Sequence, residues 1–107
     1  MNRIGFILKV KEHLIEEYKD HHRHVWPEML EALKGAGWHN YSLFMRPDGL
    51  LFGYFETPGT LEEAVAAMET TEVNGRWQAL MAPYFELPPG ARPDQMLVEL
   101  EEVFHLS

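Results

Sequence analysis

The stretch from Trp38 to Glu56, WHNYSLFMRPDGLLFGYFE, decides the fold. Its first half alternates Tyr41, Leu43 and Met45 against Asn40, Ser42 and Phe44, the two-residue period of a strand. Pro47-Asp48-Gly49 then supplies a turn, because proline presets its own φ and glycine accepts a positive one. Leu50 to Glu56 follows as a second apolar and aromatic run, so the whole segment reads as a β-hairpin. A hairpin in mid-chain with helical patterns on both sides places the chain in the α+β class.

Working upstream, residues 3–10 read as a strand with Ile4, Phe6, Leu8 and Val10 on one face. Residues 13–22, HLIEEYKDHH, carry Leu14, Ile15 and Tyr18 at helical spacing. Pro27 lacks an N–H and suits only the first turn of a helix, which predicts a break at 23–26 and a second helix over 27–34. Gly35-Ala36-Gly37 ends it.

Downstream, Pro58-Gly59-Thr60 stops the hairpin, and Thr60 with Glu63 forms a capping-box pattern opening a helix through about Glu69. Helical spacing resumes at Val73, Trp77, Leu80, Met81 and Tyr84. Residues 87–94, LPPGARPD, read as a loop, and a final strand is expected around Leu100 to His105. The order β-α-β-β-α-β, with a split second helix, is the ferredoxin-like pattern of helices on one face of an antiparallel sheet. Phe52, Tyr54 and Phe104 would make the other face too aromatic to stay bare, which predicts that a second copy covers it.

At 107 residues the chain makes one domain, 1–107. It has no cysteine, which excludes disulfides, thiolate nucleophiles and zinc–thiolate sites. Nine Lys and Arg against seventeen Asp and Glu give a net charge of −8, with no basic cluster to bind nucleic acid. The N-terminal apolar run, Ile4 to Leu8, is too short for a signal peptide or a membrane span. No membrane partner is expected, and the cytoplasm is the default location. No glycine-rich phosphate loop, G-x-S-x-G elbow or clear carboxylate pair occurs.

The chemistry concentrates in Tyr18, His22 and Trp26-Pro27-Glu28. Tyr18 and His22 stand at i and i+4 and share one helix face with Leu14. Histidine exchanges protons near neutral pH. Its neighbours His21 and His24 stand at spacings of one and two, on other faces of the helix, so no metal site is expected. Tyr41 would lie in the sheet floor beneath this helix, with Trp26 and Trp77 as walls of a small-molecule pocket.

Taken together, Glu16-Glu17-Tyr18, His22, Trp26-Pro27-Glu28, His39-Asn40-Tyr41, Leu51-Phe52, Arg76-Trp77 and Glu101-Glu102-Val103-Phe104 with Leu106 resemble the L-rhamnose mutarotase family from end to end. The resemblance implies a cofactor-free homodimer of the α+β barrel type that interconverts α and β pyranose anomers of L-rhamnose or a closely related sugar. It implies that His22 is the proton donor and that Tyr18, Tyr41 and Trp77 contact the monosaccharide. Two departures stand out. Gln78 occupies the place of a frequent second tryptophan, offering an amide to a hydroxyl but no ring to stack on, so it joins the expected substrate-binding residues. Residues 87–94 replace a frequent N-P-D-N-S-P stretch. The partner base is left open among Tyr18, His39, His105 and water. The competing readings are another cofactor-independent enzyme on such a barrel, of monooxygenase or heme-degrading type, and a binding module without catalysis.

Overall fold

The computed structural model describes residues 1–107. Four strands, β1 (Asn2–Lys9), β2 (His39–Met45), β3 (Leu50–Thr57) and β4 (Val98–Leu100), form one antiparallel sheet in the order β2-β3-β1-β4. Strands β1 and β2 flank β3, the split arrangement of the ferredoxin-like fold. Four helices, α1 (Ile15–Arg23), α2 (Pro27–Gly35), α3 (Leu61–Glu69) and α4 (Glu72–Met81), complete the expected element order. None is long and apolar enough to cross a membrane.

Local chemistry sets these boundaries. Helix α1 ends at Arg23, and α2 starts at Pro27 in the first position, where the missing N–H costs nothing. Gly37 adopts φ +88°, and the N–H groups of Gly37 and Trp38 return to the carbonyls of Lys34 and Leu33, closing α2. Thr60 and Glu63 form the reciprocal capping box at the start of α3. In the hairpin turn Gly49 holds φ +97°, and a Cβ there would lie 2.2 Å from the Val10 carbonyl oxygen.

The core lies between the helices and one sheet face. Ile4, Phe6 and Leu8 of β1 and Leu51 and Phe55 of β3 meet Tyr18, Met29, Met68, Trp77 and Met81 of the helices. Phe55 stacks on Trp38 at 3.9 Å and 15°, and the Trp38 indole N–H donates to the Ala64 carbonyl at 3.1 Å. Phe6 lies over Gly53 on the neighbouring strand, where a Cβ would come within 2.2 Å of its ring.

One irregularity controls the site. His39 pairs with Glu56 but Ser42 pairs with Tyr54, so β2 carries one extra residue. Asn40 sits in this bulge at φ +49°, a left-handed conformation that asparagine tolerates better than most residues. Strict alternation from His39 would put Tyr41 and Leu43 on the face away from the helices. The extra residue reverses that phase and turns both toward the interior, which they share with Leu51 and Phe55.

The last strand differs from the sequence expectation of Leu100 to His105: it is Val98–Leu100, pairing with β1 at Gly5, Phe6 and Ile7. Residues 101–107 form no regular structure and are exposed, with Phe104 at 80%. Glu102 alone is anchored, accepting two hydrogen bonds from the Arg3 guanidinium. The apolar positions Val103, Phe104 and Leu106 resemble a strand, but strand partners are a long-range matter and the pairing with β1 runs over Val98 to Leu100 instead.

Candidate active site

A cavity of about 390 Å³ opens between the helices and the inner sheet face, within the roughly 300–1,000 Å³ common for small-molecule sites. Its walls are mostly apolar, with Phe6, Leu8, Met81 and Phe85 among them. The polar side chains in its lining are Tyr18, His22, Tyr41, Asn74, Gln78 and Asp94, with the Trp77 indole beside them. All five of the sequence-derived site residues, Tyr18, His22, Tyr41, Trp77 and Gln78, therefore border one space.

Helix α1 brings Tyr18 and His22 together. Tyr18 is buried, and its ring lies 4.1 Å from that of His22, one turn later. His22 Nδ1 stands 2.9 Å from the Tyr18 carbonyl oxygen. A carbonyl only accepts, so Nδ1 carries the hydrogen and Nε2 is the nitrogen left for other business. Burial, partly offset by that backbone bond, lowers the His22 pKa below its usual 6.5, so the ring is mostly neutral at pH 7.

The two phenols shift in the direction opposite to the imidazole. Desolvation pushes the pKa of both Tyr18 and Tyr41 well above the ordinary tyrosine range. Both stay protonated and act as hydrogen-bond donors, so neither serves as a base at neutral pH. Tyr41 is crowded by the rings of Trp38, Phe55 and Phe6 at 5.1, 6.0 and 6.4 Å, yet it borders the cavity and keeps 36% of its surface accessible.

Trp77 projects from α4 and packs edge-on against His22, ring centroids 5.5 Å apart. Trp26 stands behind it at 5.1 Å, with the Arg76 guanidinium 5.7 Å over its ring. Trp26 supports Trp77 and is absent from the cavity lining.

The remaining histidines point elsewhere. His21 Nε2 meets the Tyr84 hydroxyl at 3.1 Å, and that hydroxyl donates to Glu17. His24 Nδ1 approaches the Asp20 carbonyl at 3.3 Å. His39 pairs with Glu56 in the sheet and His105 lies in the exposed C-terminal segment, so neither borders the cavity.

Two lining residues, Asn74 and Asp94, had no motif to announce them. Asn74 stands four before Gln78 on α4, and Asp94 lies in a short helical turn, Pro93–Gln95, inside what reads as a loop. The available signal was the polar pair at i and i+4 on the helix that carries Trp77.

Comparison with known proteins follows the same lines. The family model described as L-rhamnose mutarotase matches residues 3–106. The chain is similar to an L-rhamnose mutarotase from Bacillus subtilis at 41% identity, covering all of both chains. It is 37% identical to one from Oceanobacillus iheyensis, again over both full lengths. In three dimensions it resembles the crystal structure of an L-rhamnose mutarotase from Formosa agariphila, with a TM-score of 0.80, 27% identity and complete coverage of both chains.

Proposed function

The chain belongs to the L-rhamnose mutarotase family, and from that membership we propose that it interconverts the α and β pyranose anomers of L-rhamnose, with His22 as the proton donor. The observation that carries the reading is the His22 Nδ1–Tyr18 carbonyl bond, which leaves Nε2 for substrate in a ring-lined cavity.

In the step we propose, the imidazolium form of His22 gives its Nε2 proton to the ring oxygen while the anomeric hydroxyl loses its proton. The bond between C1 and the ring oxygen breaks and a free aldehyde forms. Rotation about C1–C2 presents the other face. The ring hydroxyl then attacks the aldehyde carbon and returns its proton to Nε2, while the new anomeric oxygen is protonated. No electrons change hands and His22 ends as it began. A positioned acid of this kind contributes roughly 10²- to 10⁴-fold. Depression of its pKa makes the imidazolium a stronger acid, at the cost of a smaller protonated fraction at pH 7. With the phenols held protonated and His39 and His105 outside the cavity, water is the base we favour for the anomeric hydroxyl.

Two further features belong to this reading. Phe44, Phe52, Ile7 and Val98 are aligned across all four strands on the face away from the helices, with Phe44 61% and Val98 56% exposed. Such a row favours a homodimer in which two sheets meet face to face. The first apolar run forms β1 in the sheet interior, in keeping with a cytoplasmic protein. The experiment is saturation-transfer NMR on L-rhamnose and a panel of 6-deoxy and ordinary aldoses: accelerated exchange for L-rhamnose is expected, and exchange at the spontaneous rate for every sugar refutes the function.

A further inference from the structure

A carboxylate belongs at the surface unless something holds it. Asp94 has a side chain only 10% exposed and lines a largely apolar cavity. It is the only acidic residue in that lining. Arg92 neutralises it with two hydrogen bonds, Nε to Oδ1 at 3.2 Å and Nη2 to Oδ2 at 3.0 Å. Asn74, 1% exposed, donates its amide to Oδ2 at 3.0 Å.

Gln78 completes a closed circuit. Its Nε2 donates to Asn74 Oδ1 at 3.1 Å, and its Oε1 accepts from the Asp94 backbone N–H at 3.1 Å. Both ends of the amide are thus engaged with the protein, and the 93–95 turn is fastened to α4 on either side of Trp77. The side chain that stands where a second ring is frequent has become a latch for a neighbouring carboxylate.

Three donors of the protein reach the Asp94 carboxylate. Oδ2 already accepts two hydrogen bonds and Oδ1 only one, so Oδ1 keeps a free lone pair. Tyr18 and Tyr41 are phenol donors, and a pyranose with several hydroxyls must also give hydrogen bonds. A fixed anionic acceptor in the same cavity supplies that complement.

We propose that Asp94 is a sugar-binding, specificity-determining residue of this cavity, its carboxylate accepting a hydrogen bond from one ring hydroxyl while Arg92, Asn74 and Gln78 hold it in place. This rests on the mutarotase reading. A purely structural Asp94 would staple the loop and discriminate among no sugars.

The test is kcat/KM by NMR anomer exchange for L-rhamnose and its single-deoxy analogues, with wild type and Asp94→Asn. Asp94→Asn is expected to lower kcat/KM for L-rhamnose by roughly 10- to 100-fold, chiefly through KM, the size of one lost hydrogen bond to a charged group. For one deoxy analogue the two enzymes should agree within about twofold, because the partner hydroxyl is already gone. An equal loss on every sugar, or none, overturns the assignment while leaving the mutarotase reading intact. Wild type without activity on any sugar overturns both. A second measurement needs no variant: the carbon-13 resonance of the Asp94 carboxylate should move when L-rhamnose is added to wild type, and an unmoved resonance also overturns the assignment.

Discussion

His22 Nδ1 lies 2.9 Å from the carbonyl oxygen of Tyr18, one turn earlier on the same helix. That single bond fixes the tautomer, holds the imidazole against the tyrosine ring at an interplanar angle of 31° and leaves Nε2 as the ring's other nitrogen at the cavity wall. The residue that supplies the wall beneath the imidazole also supplies the backbone atom that orients it.

The pH dependence follows from the direction of the His22 shift. Burial lowers its pKa below 6.5, so the imidazolium needed to protonate the ring oxygen becomes scarcer as pH rises through that lowered value. After subtraction of the spontaneous rate, kcat/KM should rise as pH falls from 8 and level off only below pH 6.5. A rate that declines as pH drops through 6.5 would assign His22 the base's role at the anomeric hydroxyl.

Asn40 should be sensitive to shape more than to polarity. Its φ of +49° is poorly tolerated by a β-branched residue, so Asn40→Val is expected to cost about 1–3 kcal/mol in urea denaturation. Activity should fall with it, because losing the bulge turns Tyr41 away from the cavity. Asn40→Gly, free to adopt the same φ, should retain activity.

How much of this was legible in the chain depends on the range of the interaction that decides each feature. The hairpin turn at Pro47-Asp48-Gly49, the break before Pro27 and the Thr60–Glu63 cap are set within a few residues, and all three stand where the sequence places them. The pairing of Tyr18 with His22 is equally local. The bulge at Asn40 is different: it exists only relative to Glu56 and Tyr54 on the partner strand. The final strand is a similar case, since it is defined by the pairing of Val98 and Leu100, not Val103 and Phe104, with Ile7 and Gly5 on β1. Asn74 and Asp94 lie 20 positions apart, and no spacing rule joins a helix residue to a loop residue at that distance.

Thr60→Ala offers a test of stability separate from activity. It removes the side-chain acceptor for the Glu63 N–H at 3.1 Å, a loss of about 1 kcal/mol. For a domain this size the melting temperature should drop by roughly 4–8 °C. Anomer exchange at 25 °C should be unchanged, since neither Thr60 nor Glu63 lines the cavity.

The apolar row on the outer sheet face predicts assembly. The wild-type protein should sediment as a dimer at micromolar concentration, and Phe44→Glu, which places a charge beside Phe52 at one end of that row, should sediment as a monomer. A wild-type monomer would remove the face-to-face pairing from the account.

The most direct measurement compares wild type with His22→Ala in saturation-transfer NMR between the anomers of L-rhamnose, with circular dichroism to establish that both are folded. Exchange is expected well above the spontaneous rate for wild type and at the spontaneous rate for folded His22→Ala. Folded His22→Ala that exchanges the anomers as fast as wild type would contradict the role of His22 as proton donor.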